Sequence, residues 1–159
     1  MTAAFAPAQS GKNTALVAIL VGGIAAGIVD LLQACILFGW DIPLVIAAGL
    51  IGRQALHGGV PIYVLGVLLH FFIACSAATT YYLVSLRLTF MKDHPLVCGL
   101  FFGGAVEEFM SLVVLPLSAL HARGPYTLQS RILGLVVHMI VIGLPIAYSV
   151  KRFSRDHAV

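Results

Sequence analysis

Apolar residues along this chain gather in long unbroken runs, not in the alternating or 3.6-residue stripes of a soluble fold. Four runs, over about 14–40, 61–86, 95–120 and 132–150, approach or exceed the roughly 20 residues that a helix needs to cross a bilayer. Between the first two lies "DIPLVIAAGLIGRQALHGG". Its apolar part, 43–52, is too short to cross and predicts an interfacial or re-entrant half-helix. The first run is too long for a signal-peptide core and is followed by further spans, so it reads as a span itself. Residues 1–13, "MTAAFAPAQSGKN", read as a disordered polar tail, and "KRFSRDHAV" closes the chain as a basic one. The pattern predicts an all-α polytopic membrane protein, a four-helix transmembrane bundle forming a single domain over 1–159.

Polar positions inside these runs fall in matched frames. "LGVLLHFF" (Leu65 to Phe72) and "LGLVVHMI" (Leu133 to Ile140) share a Leu-Gly-x-x-x-His skeleton, and each is preceded by an Ala-Leu-His and a Gly/Pro turn. Upstream, "GGIAAGIVD" (Gly22 to Asp30) aligns with "GLFFGGAVE" (Gly99 to Glu107), pairing Gly27 with Gly104 and Asp30 with Glu107. Two matched blocks in the same order point to a tandem duplication of a two-helix unit, about 14–88 and 95–152. The half-helix over 43–52 is the insertion that lengthens the first copy. Two-span units enter the membrane the same way, which predicts a pseudo-twofold axis along the membrane normal.

Each span thus carries an ionisable residue: Asp30, His70, Glu107 (with its neighbour Glu108) and His138. At 1.5 Å rise per residue, they fall within roughly 6 Å of one another in depth. They share helical faces with small residues: Gly23 and Gly27 with Asp30, Gly66 and Ala74 with His70, Gly99, Gly103 and Ser111 with Glu107, and Gly134 with His138. Small-residue rows admit close backbone approach, so these faces are expected to point into the bundle. The duplication places Asp30 opposite Glu107 and His70 opposite His138, giving a buried Asp/Glu/His cluster. Glu108 has no counterpart in the first copy, where Leu31 stands, and points about 100° away, a looser member. His57 and His121, also matched, are candidates for the outer mouths.

A charge at mid-membrane costs at least about 2.5–3.5 kcal/mol, so such groups need a partner or a task. Three readings are open. The carboxylates and imidazoles bind or conduct a divalent metal ion or protons. Alternatively they only hydrogen-bond helices together, in a non-catalytic scaffold or stress-response protein. Third, His70 and His138 clasp a haem. Enzymatic chemistry is the weaker expectation, since no nucleophile-elbow frame surrounds Ser76, Ser111 or Ser118. Pro145, on the His138 face, predicts a static kink.

Composition narrows the rest. The chain is 60% hydrophobic and 9% charged, against about 25% charged in soluble domains. A net charge of +3 without a basic stripe excludes a nucleic-acid partner. The expected partners are the lipid bilayer and a second copy meeting through small-residue helix faces. Cys35, Cys75 and Cys98 lie in or at the ends of apolar runs without metal-type spacing and read as packing residues. Lys12, Arg87, Lys92, Lys151, Arg152 and Arg155 fall on one side of the four-span topology, and Arg53, Arg123 and Arg131 on the other. That bias places both termini in the cytoplasm.

The third and fourth spans, with "LPLSAL" (Leu115 to Leu120), "GLVVH" and "KRFSRD", together with "LLHFFIA" in the second, resemble the YagU-like small bacterial inner-membrane proteins. The resemblance covers about the last two-thirds of the chain. It implies a four-helix bacterial inner-membrane protein, a link to acid resistance, and matched histidines at the positions of His70 and His138. It implies no acid at the position of Glu107 and no catalytic residues.

Overall fold

The computed structural model describes residues 8–121 and 127–154, and among them it is almost entirely helical with no strand. Arg123, Arg155 and the first seven residues of the expected tail lie outside the described residues. The helices are α1 (Ala8–Phe38), α2 (Ile42–Ile51), α3 (Val60–Arg87), α4 (Phe90–Asp93), α5 (Pro95–Phe109), α6 (Leu115–Leu117), α7 (Leu128–His138) and α8 (Leu144–Ser154). A 3₁₀ turn over Arg53–His57 follows α2, while π-helical turns over Met110–Val114 and Met139–Gly143 join α5 to α6 and α7 to α8.

Four continuous helices are long and apolar enough to cross a membrane: Asn13–Phe38, Val60–Arg87, Pro95–Leu117 and Leu128–Ser154. They are spans 1 to 4 of a multi-pass membrane protein. Four spans put the start of span 1 and the end of span 4 at one face of the membrane, with the turns after spans 1 and 3 at the other.

Local chemistry sets their ends. Gly39, at φ +103°, ends α1 in a conformation that L side chains rarely adopt. Pro43, Pro61 and Pro95 stand in the first turns of α2, α3 and α5, where a missing N–H costs nothing. Span 4 begins four residues before the expected 132, because the Thr127 hydroxyl accepts from the Ser130 N–H at 3.1 Å and caps the helix there. At the other end of the chain, α1 starts at Ala8, inside the stretch expected to be a disordered tail.

Spans 1 and 2 pack together, as do spans 3 and 4, and the two units are joined by span 1 lying along span 4. Small residues make each contact close. A Cβ on Gly23 would meet Cys75, one on Gly22 would meet Ser149, and one on Gly99 would meet Ala147 and Gly143. The Ser149 hydroxyl donates to the Ala18 carbonyl at 2.8 Å across the span 1–span 4 seam. The core, including Ala26, Ala78, Tyr81, Ile142, Ile146 and Val150, gathers around this seam. The expected half-helix is α2; its buried Ala47 and Ala48 pack with Ile62, Leu65 and Leu120. A Cβ on Gly66 would come within 1.8 Å of the Pro43 carbonyl oxygen, so that glycine admits the α2 backbone against α3.

Spans 2 and 3 touch only slightly, with the Tyr81 and Phe102 rings meeting edge to face at 5.0 Å. Elsewhere they part around an apolar groove of about 490 Å³, walled by residues including Phe72, Ala77, Ala105 and Phe109. The extended seam between spans 1 and 4 therefore has no equal between spans 3 and 2, which a parallel twofold axis would demand.

Candidate functional site

The four ionisable residues form two separate acid–imidazole pairs, one within each two-helix unit. Asp30 on α1 and His70 on α3 approach to 3.8 Å (Oδ2 to Nε2), both largely covered, at 13% and 12% side-chain exposure. Glu107 on α5 and His138 on α7 approach to 3.1 Å (Oε2 to Nδ1), at 12% and 23%. No group of three or more His, Cys, Asp or Glu side chains placed to hold a metal ion exists among the described residues. The single cluster expected from the duplication is thus divided. Each acid is nearest the imidazole of its own unit, and spans 2 and 3, which carry His70 and Glu107, meet only slightly.

The pairs differ in chemistry. His70 Nε2 lies 2.9 Å from the Gly27 carbonyl oxygen, which can only accept, so Nε2 carries the proton and donates to it. The Asp30 carboxylate stands beyond hydrogen-bond reach of that N–H. In the second unit, His138 Nδ1 lies 3.0 Å from the Gly134 carbonyl oxygen and therefore carries the proton. That N–H donates to Gly134, and Glu107 Oε2 stands 3.1 Å from the same nitrogen as its ion-pair neighbour. The Ser111 hydroxyl donates to Glu107 Oε1 at 3.2 Å, while Oε2 is the oxygen next to the imidazole. In a neutral His138, Nε2 keeps its lone pair and can take up a proton.

Sequence position explains the niche that Glu107 fills. Gly134 has no side chain, and a Cβ there would lie 2.7 Å from Glu107 Oε1. One turn away, a Cβ on Gly103 would reach 2.2 Å from the His138 carbonyl oxygen, so spans 3 and 4 meet backbone to backbone beside the pair. Both π-helical turns flank it, Met110–Val114 just after Glu107 and Met139–Gly143 immediately after His138. Single π turns inside α-helices are frequent at functional sites.

Glu108 does not join either pair. Its carboxylate accepts from the Arg131 guanidinium at 2.6 Å, and the two side chains are about two-fifths exposed, at 40% and 41%. The signal for this contact was present in the chain: Arg131 lies seven residues before His138, on the same helical face. The mouth candidates stand apart from the pairs. His57 is exposed on the 3₁₀ turn beside α2, and His121, at φ 48°, faces the Pro116 carbonyl at 3.3 Å. The serine hydroxyls of Ser76 and Ser118 donate to carbonyls of their own helices, Phe72 and Leu115. All three cysteines are free thiols.

Searches against family models, curated proteins and solved structures find no match to the chain, and no family is assigned to it.

Proposed function

We propose that this protein handles protons within the membrane, with Glu107 and His138 as the exchanging groups and Asp30–His70 as the looser matched pair. One observation carries the reading: a largely covered carboxylate accepts from a serine hydroxyl through one oxygen and stands 3.1 Å from an imidazole nitrogen through the other. A carboxylate and an imidazole in contact share protons as a pair, and intramembrane acid–histidine pairs of this kind mark proton relays. A proton taken up by the pair resides on Glu107 or on Nε2 of His138, with the Gly134 carbonyl and Ser111 hydroxyl holding the geometry in both states. Cohesion alone accounts for the pair poorly, since intramembrane hydrogen bonds average about 0.6 kcal/mol while an acid at mid-span costs several times that. Metal conduction is the weaker alternative, because each pair offers one carboxylate and one imidazole and no third ligand joins them among the described residues. Haem fits less well still, as His70 already spends its Nε2–H on Gly27.

The tandem duplication belongs to this proposal, supported by the paired acid and histidine in each unit. So does placement in a bacterial inner membrane with both termini cytoplasmic, supported by the Lys/Arg bias. The test is proton flux into proteoliposomes carrying a pH-sensitive dye, driven by a potassium-diffusion potential. Wild-type protein is expected to conduct, and Glu107→Gln and His138→Ala to lose most of the flux. Equal flux in wild-type, variant and protein-free vesicles overturns the reading.

A further inference from the structure

The Glu107–His138 pair is largely covered, so a proton needs a route to it. The apolar groove between spans 2 and 3 does not supply one: its hydroxyls, Ser76 and Thr80, are turned back onto the carbonyls of Phe72 and Ser76. The matched histidines do not either, since His57 sits on the turn after α2 and His121 is bonded beside Pro116.

Span 4 offers a different path. Arg131, Gly134 and His138 stand three and four residues apart along one helical face, opposite Glu108, Glu107 and Ser111 of span 3. Cover increases along this line, from about two-fifths exposed at Arg131 and Glu108 to 12% exposed at Glu107. Arg131 is the fourth residue of α7, close to the membrane face opposite the termini. Between the exposed ion pair and the covered acid–imidazole pair, position 134 has no side chain, and the Glu107 carboxylate reaches into the space a Cβ there would take.

We propose that the Arg131–Glu108 ion pair is the entry to the Glu107–His138 site, admitting protons from the face opposite the termini along the gap at Gly134. The inference rests on the proton reading above. Arg131 acts as a positioning residue: its guanidinium holds Glu108 and keeps a polar, hydrated opening where apolar side chains would otherwise close the seam. The other charged side chains of α5 and α7 are Glu108 and Arg131, and they are paired with each other.

The experiment uses full-length protein in proteoliposomes, with Arg131→Cys in place of the wild type and membrane-impermeant thiol reagents applied from the face opposite the termini. Labelling of the wild type, with its three native cysteines, sets the background. The variant is expected to lose most of its proton flux, to be labelled from that face, and to recover flux with a cationic aminoethyl reagent. An anionic sulfonatoethyl reagent is expected to label the thiol without recovery. A thiol not labelled from that face, or a flux indifferent to the sign of the attached charge, overturns the entry. Labelling from that face combined with no flux in the wild type instead overturns the proton reading, and the entry with it. The two failures are therefore distinguishable.

Discussion

The glycines of the two Leu-Gly-x-x-x-His frames are put to different uses. Gly66 makes room for a neighbouring backbone carbonyl, whereas Gly134 makes room for a side-chain carboxylate. A methyl group at 66 meets rigid backbone, so Gly66→Ala is expected to cost about 1–3 kcal/mol, the range of overpacking, in thermal unfolding in detergent, and to loosen α2. A methyl group at 134 meets the far end of a flexible side chain, so Gly134→Ala is expected to unfold within about 1 kcal/mol of the wild type. It displaces Glu107 and should lower proton flux nonetheless. If the ranking of the two stabilities is reversed, the packing account is wrong. At 3.8 Å, Asp30 and His70 contribute little cohesion, and Asp30→Asn should change stability by less than about 1 kcal/mol. That acids and histidines would meet at like depth was legible in the sequence, since one of each falls there in each unit. Division into two pairs was not, because the frames fix depth and face but not which helices touch.

Prolines and π turns occur together along spans 3 and 4. Pro116 and Pro145 each lie two residues beyond a π-helical turn, and each faces the carbonyl four residues earlier, at Leu112 and Val141, inside that turn. A proline lacks the N–H that this carbonyl would bind and its ring crowds it, so a widened turn relieves both. The expectation of a simple kink at Pro145 thus gives way to a π turn that brings Gly143 against Gly99. Pro145→Ala restores the N–H and favours regular helix, which would rotate the two parts of span 4 by about 100° relative to each other. That variant is expected to weaken the span 3–span 4 contact and to speed amide hydrogen exchange across Met139–Gly143; unchanged exchange there would separate the π turn from its proline. Helix existence was legible from apolar run length alone, and so was the short α2, with bounds within a residue of those expected. The start of span 4 was not, because the Thr127 cap precedes the apolar run.

Across the whole molecule, the spans stand in the order 2–1–4–3, with the groove between spans 2 and 3 where the row does not close. Small residues decide this order: Gly22 meets Ser149 on span 4, and Gly99 and Gly103 meet the π turn of the same span. Oxidation of a Gly22→Cys/Ser149→Cys pair is expected to cross-link spans 1 and 4, since the two Cβ positions lie 3.0 Å apart, close to disulfide spacing after a small shift. A Ser76→Cys/Phe109→Cys pair across the groove is expected to stay reduced; the opposite outcome would refute the open row. Composition made the membrane class and the span count plain, but apolar faces of similar character leave helix order undetermined until the close contacts are seen.

The central claim is that Glu107 gains and loses a proton beside His138, and difference infrared spectroscopy of the protein in membranes reads this directly. When the pH is changed, the carboxyl stretch of a protonated glutamic acid should rise and fall in wild-type protein and be missing from the Glu107→Gln difference spectrum. A carboxyl band that survives that substitution unchanged, or no carboxyl band in wild-type protein at any pH, would contradict the account.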